Sequence, residues 1–371
     1  QEHSDFPELS GAFDAESFRD LGHRLVDRLA DHLSAAQQGA DMSVLPWSEP
    51  ADMLESWPGE FKDASEDSFD GIFARFVEEA NHLYHPRYAG HQVGPSLPAG
   101  ALCDFAASFM NNGMAVYEHG TSGTAMELRV LDWMAGKLGL GVDAGGLITS
   151  GGSVGNLTAL LAARQVMMAK LGLKSTNNQL AVLACAHAHY SVGRAVRIMG
   201  WGAEGLQAVP HDADLRLRPE CLEETLRRAQ DAGRRVIAVA ANACCTPTGV
   251  YDPLEPIADF CEEHGLWLHV DGAHGASACL SEKYRHLTAG IGRADSVVWD
   301  AHKMLMMPAL CTAVLFRNGN LVYAPFAQEA SYLFGNDPRE EWYNIGLRTM
   351  ECTKRTMSLK IYAALRCYGS A

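Results

Sequence analysis

Two apolar runs, Leu266-Trp267-Leu268-His269-Val270-Asp271 and Ser296-Val297-Val298-Trp299-Asp300-Ala301-His302-Lys303, decide how this chain folds. Each is short, nearly continuous in apolar residues and ends on polar ones, the pattern of a strand buried on both faces. Working outward, similar runs predict strands at 180–184, 236–240 and 310–316. Helical spacing predicts helices at 99–111, 124–139, 155–171 and 190–199, another opened by Pro219 and closed by Gly233, and one from Pro253 to His264. Buried strands alternating with helices predict an α/β fold with a mostly parallel sheet covered by helices on both faces. Ligands of such sheets bind beyond the carboxyl ends of the strands, where both Asp271 and Lys303 lie.

The flanks read differently. Phe18, Leu21, Leu25, Leu29 and Leu33 recur at helical spacing over residues 16–38, but Pro46-Trp47 and Trp57-Pro58 break the pattern beyond that helix. The expected organisation is an N-terminal helical arm at 1–75, a large domain at 76–340 and the start of a small C-terminal domain at 341–371. The last carries a helix through Leu359, Ile361 and Leu365. The chain has 371 residues, 47% of them hydrophobic, and a formal net charge of −15 with no basic tract, which argues against nucleic acid or an anionic membrane as partner. No apolar run approaches the length of a membrane span, and the polar start Gln1-Glu2-His3-Ser4-Asp5 does not read as a signal peptide. Ten scattered cysteines fit reduced, packed thiols and a cytoplasmic protein better than a disulfide framework.

A lysine just past a strand end can sit in a dry pocket, lose its proton at modest cost and attack an aldehyde. A carboxylate at a neighbouring strand end suits a basic ring nitrogen. At ~4 Å and an effective dielectric of about 20 it contributes on the order of 4 kcal/mol, about three pKa units. Pyridoxal phosphate has both an aldehyde and such a nitrogen. Asp271 alone could equally be a helix N-cap, but Gly272-Ala273-His274-Gly275 leaves room for a flat ring. The segment Thr149-Ser150-Gly151-Gly152-Ser153-Val154-Gly155-Asn156 opens a helix and offers free N–H groups to a phosphate, though many such glycine turns bind nothing. His187 and His189 form an H-x-H pair with no third zinc ligand at a recognisable spacing, so no metal is expected. Stacking on a ring is the sharper reading for His189, a structural role the blander one for His187. Thr246 suits a hydrogen bond to a ring hydroxyl, or simply the turn at Pro247 and Gly249.

The ordered set of the glycine loop, Ala188-His189-Tyr190-Ser191, Thr246-Pro247-Thr248-Gly249-Val250-Tyr251-Asp252-Pro253, His269-Val270-Asp271-Gly272-Ala273-His274-Gly275 and Asp300-Ala301-His302-Lys303 resembles the group II pyridoxal-phosphate-dependent amino acid decarboxylases from about residue 85 onward. The resemblance implies an aspartate-aminotransferase-like fold (PLP fold type I), a truncated C-terminal small domain, and a homodimer with its active site at the interface. It implies Lys303 as the cofactor-bearing lysine, Asp271 at the ring nitrogen, and His189 and Ala273 on the two ring faces. Thr246 falls by the ring hydroxyl and Gly151, Gly152, Ser153 and His302 at the phosphate. Asp300, often asparagine in relatives, falls nearby. Tyr332 falls where relatives carry a mobile loop whose tyrosine returns a proton to the α-carbon; a packed aromatic is the plainer alternative. His85, His91 and Gln92 are expected to line the substrate pocket. Met304 and Met114-Ala115-Val116-Tyr117-Glu118 lean toward an acidic or short polar substrate, of the glutamate, aspartate, cysteine sulfinate or diaminobutyrate type, while His91-Gln92 departs from the glutamate pattern. The competing expectations are another enzyme of the same cofactor fold (aldolase, desulfurase or aminotransferase) and a non-catalytic cofactor-binding protein.

Overall fold

The apolar runs pair into one seven-stranded sheet, composed of β1 (Gly145–Thr149), β2 (Leu180–Cys185), β3 (Leu206–Val209), β4 (Arg235–Asn242), β5 (Trp267–Asp271), β6 (Ser296–Asp300) and β7 (Thr312–Phe316) in the order β1-β7-β6-β5-β4-β2-β3. In this computed structural model the described residues are 11–59, 68–173, 179–326 and 341–369. The chain divides into two compact units, Gln1–Pro95 and Ser96–Ala371. Among the described residues the helices of the first unit are α1 (Ala15–Gln37), α2 (Pro50–Ser56) and α3 (Phe69–Glu79). Those of the second are α4 (Pro98–Met110), α5 (Thr121–Leu138), α6 (Gly152–Lys170), α7 (Tyr190–Ile198), α8 (Leu222–Asp231), α9 (Leu254–His264) and α10 (Ser358–Tyr368).

Strands β6, β5, β4, β2 and β3 are parallel neighbours, and β7 runs antiparallel between β6 and β1. The carboxyl ends of β1, β2, β4, β5 and β6 therefore share one edge of the sheet, and the start of β7 meets them there. Side chains alternate between two cores, as the pleat requires. Ala181, Leu183, Val297 and Trp299 face one core with α5, α8 and α9, while Leu180, Val182 and Val298 face the other with α6 and α7. Truncating a fully buried side chain such as Leu183 costs about 2–5 kcal/mol.

The strand β1 escapes sequence reading because it begins Gly145-Gly146, yet the glycines are required. A Cβ on Gly146 would lie 2.2 Å from the Val314 carbonyl oxygen of β7. Strand β1 is also a sheet edge, and edges present unpaired N–H and C=O groups. Glu127 Oε1, on α5, accepts the Ile148 N–H at 3.0 Å, and Lys354 Nζ donates to the Ile148 carbonyl. Glu127 and Lys354 pair with each other at 2.6 Å, and Arg348 donates to the Gly146 carbonyl at 3.4 Å. Buried charges from the segment after residue 341 thus close the edge that leads into Ser150-Gly151-Gly152. Helix α4 begins at Pro98 and ends at Asn111 in the left-handed region, and Gly265 closes α9 in the same way.

In the first unit α1 is capped by Asp14, whose side chain accepts the Ser17 N–H at 2.7 Å. Arg24 on α1 pairs with Asp70 on α3 at 2.8 Å. Much of the apolar stripe of α1 stays open: Phe18 is 43% and Leu29 45% exposed.

Candidate active site

Strands β5 and β6 end on Asp271 and Asp300, and the tight turn after β6 brings Lys303 back over the sheet edge. Lys303 Nζ lies 3.0 Å from Asp300 Oδ2, so the amine faces a carboxylate rather than the apolar pocket that burial arguments alone suggest. Asp300 is itself buried and accepts the Thr312 hydroxyl at 2.6 Å. His302 places Nε2 3.6 Å from Asp300 Oδ2, with Nδ1 against the backbone of Cys311.

A cavity of about 300 Å³ opens at this edge, at the small end of the range for small-molecule sites. Its walls hold Lys303, Asp300 and His302 from the end of β6, Asp271 and Ala273 from β5, and Thr246 from the loop after β4. His189 comes from the end of β2, and Gly151, Gly152 and Ser153 from the start of α6. Sequence positions spread over some 150 residues are brought together because four adjacent parallel strands end side by side.

Each residue is held by local chemistry. Asp271 Oδ2 accepts Asn156 Nδ2 at 2.7 Å, and Oδ1 accepts the Ala273 N–H at 3.2 Å. Helix α6 begins at Gly152 with no side-chain cap, so its first N–H groups are available to an anion. A Cβ at Gly152 would lie 3.2 Å from both Asp300 carboxylate oxygens and 3.4 Å from the Ala273 methyl, so a side chain there would crowd this cradle. Gly155 likewise lets α6 approach Val298 and Thr312. Burial pushes the His189 imidazole below its ordinary pKa, with the Asp271 charge opposing. Burial also lowers His274, assisted by the Lys303 charge, and raises the Cys244 thiol.

The cavity also includes Leu310, to which the sequence alone assigned no role, with Cys244, with Ser150, Val154 and Asn156 of the glycine segment, and with His274 of the segment after Asp271. For Asn156 a signal existed: with Gly152, Gly155 and Ala159 it falls at i, i+3, i+4 and i+7, on the face of α6 turned to the sheet. His85, His91 and Gln92 belong to the first unit. His85 is buried there with Nε2 3.2 Å from the Ala40 carbonyl oxygen and Nδ1 accepting the Arg87 N–H, while His91 is exposed with φ 44°. Tyr332 lies outside the described residues. His187 packs its ring against His211 at 4.7 Å, on structural rather than cavity duty.

The structure tests the fit of pyridoxal phosphate on three counts. A Cβ would crowd the glycine cradle, a helix N-terminus stands uncapped, and a carboxylate and a lysine share one hollow. All three suit the group. The fold and site define an α/β enzyme of PLP fold type I.

Comparison with known proteins agrees. Residues 57–371 match the pyridoxal-dependent decarboxylase conserved domain. The aromatic-L-amino-acid decarboxylase of Bacillus atrophaeus is 32% identical over 365 residues, covering 96% of this chain and 74% of that protein. Human cysteine sulfinic acid decarboxylase is 31% identical over 348 residues, covering 90% and 69%. The crystal structure of Oryza sativa TDC with PLP and tryptamine superposes with a TM-score of 0.88 at 26% identity, covering 96% of this chain and 76% of that one. The chain belongs to the pyridoxal-phosphate-dependent amino acid decarboxylase family, a family of carboxy-lyases. Among the described residues no helix is long and apolar enough to cross a membrane.

Proposed function

We propose that this chain decarboxylates an acidic or short polar L-amino acid at its α-carbon, releasing carbon dioxide and the amine. The observation that carries this reading is the shared cavity of Lys303 and Asp271 beside the glycine cradle. Bound pyridoxal phosphate supplies an electron sink for the α-carbon.

The chain's own residues supply the rest. Lys303 would hold the cofactor and yield it to the substrate amine, and Asp300, 3.0 Å from its Nζ, would position the freed lysine amine. Asp271 would hold a proton on the ring nitrogen, His189 and Ala273 would flank the ring, and Thr246 would bond its hydroxyl. Gly151, Gly152, Ser153 and His302 would hold the phosphate. The residues lining the cavity orient the α-carboxylate and limit the access of water. Tyr332 returns the proton to the α-carbon, and His85, His91 and Gln92 shape substrate choice. Residues 1–75 form an arm, 76–340 the cofactor domain and 341–371 a distinct C-terminal segment.

The assembly we infer is a cytoplasmic homodimer with the site at its interface. Supporting it, α4 exposes Leu102 (56%), Phe105 (48%), Phe109 (63%) and Met110 (63%) at helical spacing. Leu97, at the start of that helix, donates its N–H to the carbonyl of Met306, three residues past the lysine. An apolar face of this kind marks an interaction surface.

The test is carbon dioxide release and amine formation across the twenty amino acids, cysteine sulfinate and diaminobutyrate. The reading expects the acidic or short polar members to be turned over. Preference for an aromatic substrate overturns the substrate assignment. Turnover without carbon dioxide loss, or no turnover with cofactor bound, overturns the decarboxylase assignment in favour of another fold-type-I chemistry or a binding role.

A further inference from the structure

We propose that Asn156 is a positioning residue that sets the hydrogen-bond polarity of the site, presenting Asp271 with a donor and fixing both His189 and His269 as Nε2–H tautomers. The inference rests on the reading that places Asp271 at the cofactor ring nitrogen. Its polarity argument, however, uses only groups of the chain.

The argument is an accounting of protons. Asn156 Nδ2 carries two, and both are engaged: one goes to Asp271 Oδ2 at 2.7 Å, the other to Ser191 Oγ at 2.8 Å. The opposite amide orientation would set a carbonyl oxygen against a carboxylate, so the amide has one allowed placement. Asn156 Oδ1 can then only accept, and it lies 3.0 Å from His269 Nε2, which must carry a hydrogen. His269 is wholly buried, and burial pushes it down to about 4, so the ring is neutral and Nδ1 is bare. Nδ1 faces Ser296 Oγ at 2.9 Å and takes its hydroxyl proton. Ser296 in turn accepts from Trp267 Nε1, a group that only donates, at 2.9 Å. Every bond from Trp267 through Ser296, His269 and Asn156 therefore points the same way, toward Asp271.

The second branch starts from the same amide. Ser191 Oγ accepts from Asn156, so its own proton is free for His189 Nδ1 at 2.7 Å. The Ser191 backbone N–H also donates to that nitrogen at 3.3 Å. Two donors on Nδ1 leave Nε2 as the protonated nitrogen of His189. One asparagine thereby couples the hydrogen bonding of Asp271 to the tautomer of His189. Polarised chains of this kind strengthen their members in a low-dielectric interior.

The experiment is nitrogen NMR of the protein with 15N-labelled histidine, first without cofactor, with the two resonances assigned by their loss in His189→Gln and His269→Gln. Both rings are expected as neutral Nε2–H tautomers at pH 7. An Nδ1–H tautomer or an imidazolium at either position overturns the proposal, whatever the fate of the Asp271 assignment. The variant Asn156→Asp keeps the shape and the acceptor toward His269 but removes both donors. It is expected to weaken pyridoxal phosphate binding at least tenfold and to shift the His189 signal; unchanged affinity with an unchanged His189 tautomer overturns the proposal. The control is Asp271→Asn, loaded with cofactor labelled at the ring nitrogen. If that nitrogen stays protonated in this variant, the Asp271 assignment fails, while the tautomers in the cofactor-free protein still decide the relay.

Discussion

Replacing Lys354 by methionine removes one partner of a buried ion pair and leaves the other stranded. Glu127 is fully buried and Lys354 8% exposed, and their charged atoms are 2.6 Å apart. At an effective dielectric of about 20 their attraction is about 6 kcal/mol, set against a desolvation penalty of several kcal/mol for each ion. The intact pair is therefore close to neutral for stability, but breaking it exposes the full cost of an unpaired interior charge, about 3–5 kcal/mol. Lys354→Met is expected to lose that amount in urea unfolding of the cofactor-free protein. Glu127→Gln is expected to lose about 3 kcal/mol, because a buried ammonium is stranded instead. The double variant strands no charge and should lose only about 1–2 kcal/mol, so the singles and the double are strongly non-additive. The same pair closes the edge of β1 two residues before Ser150, so Lys354→Met also weakens cofactor binding. Losses below about 1 kcal/mol in the singles, or a double equal to their sum, would refute the reasoning.

The geometry sets three further outcomes. Burial holds His269 at about 4 in the folded state, against 6.5 for an ordinary histidine. Because the unfolded chain binds the proton more readily, this stability is complete above about pH 6.5. It falls as pH drops toward 4, by on the order of 3 kcal/mol in all. Urea unfolding of wild type at pH 7.5 and 4.5 should show this loss, and His269→Gln should show a smaller pH dependence. Gly152→Ala places a methyl 3.2 Å from both Asp300 carboxylate oxygens, and equilibrium titration should find pyridoxal phosphate bound about tenfold more weakly, or about 1.4 kcal/mol. Phe105→Glu with Phe109→Glu charges a face of α4 and should convert the proposed dimer to monomer in sedimentation analysis, with secondary structure unchanged by circular dichroism.

Much of the sheet was legible because its central strands are buried on both faces and read as unbroken apolar runs. Strands β2, β4, β5 and β6 all fall within residues predicted as strands or next to them. Strand β1 was not, since Gly145-Gly146 carries no apolar signal and its reason is a close approach to β7 that only the fold reveals. Strand β3 is a short, half-exposed edge at Leu206–Val209, too brief for a period to show. Helix α2 lies between Pro46-Trp47 and Pro58, where the breakers masked it. At the site, Asp271 and Lys303 announce themselves by standing at strand ends. Asn156, His269, Ser191 and Ser296 act through partners distant in sequence, although His269 and Asp271, two residues apart on one strand, do share a face. The ion pair of Glu127 with Lys354 spans 227 positions, a coupling no local pattern encodes.

The most direct measurement is covalent capture of the cofactor. Purified protein is incubated with pyridoxal phosphate, reduced with borohydride and mapped by peptide mass spectrometry, alongside Lys303→Ala. The account predicts a single modified lysine, Lys303, and no fixed cofactor in the variant. Capture at another lysine, or equal capture in Lys303→Ala, contradicts it.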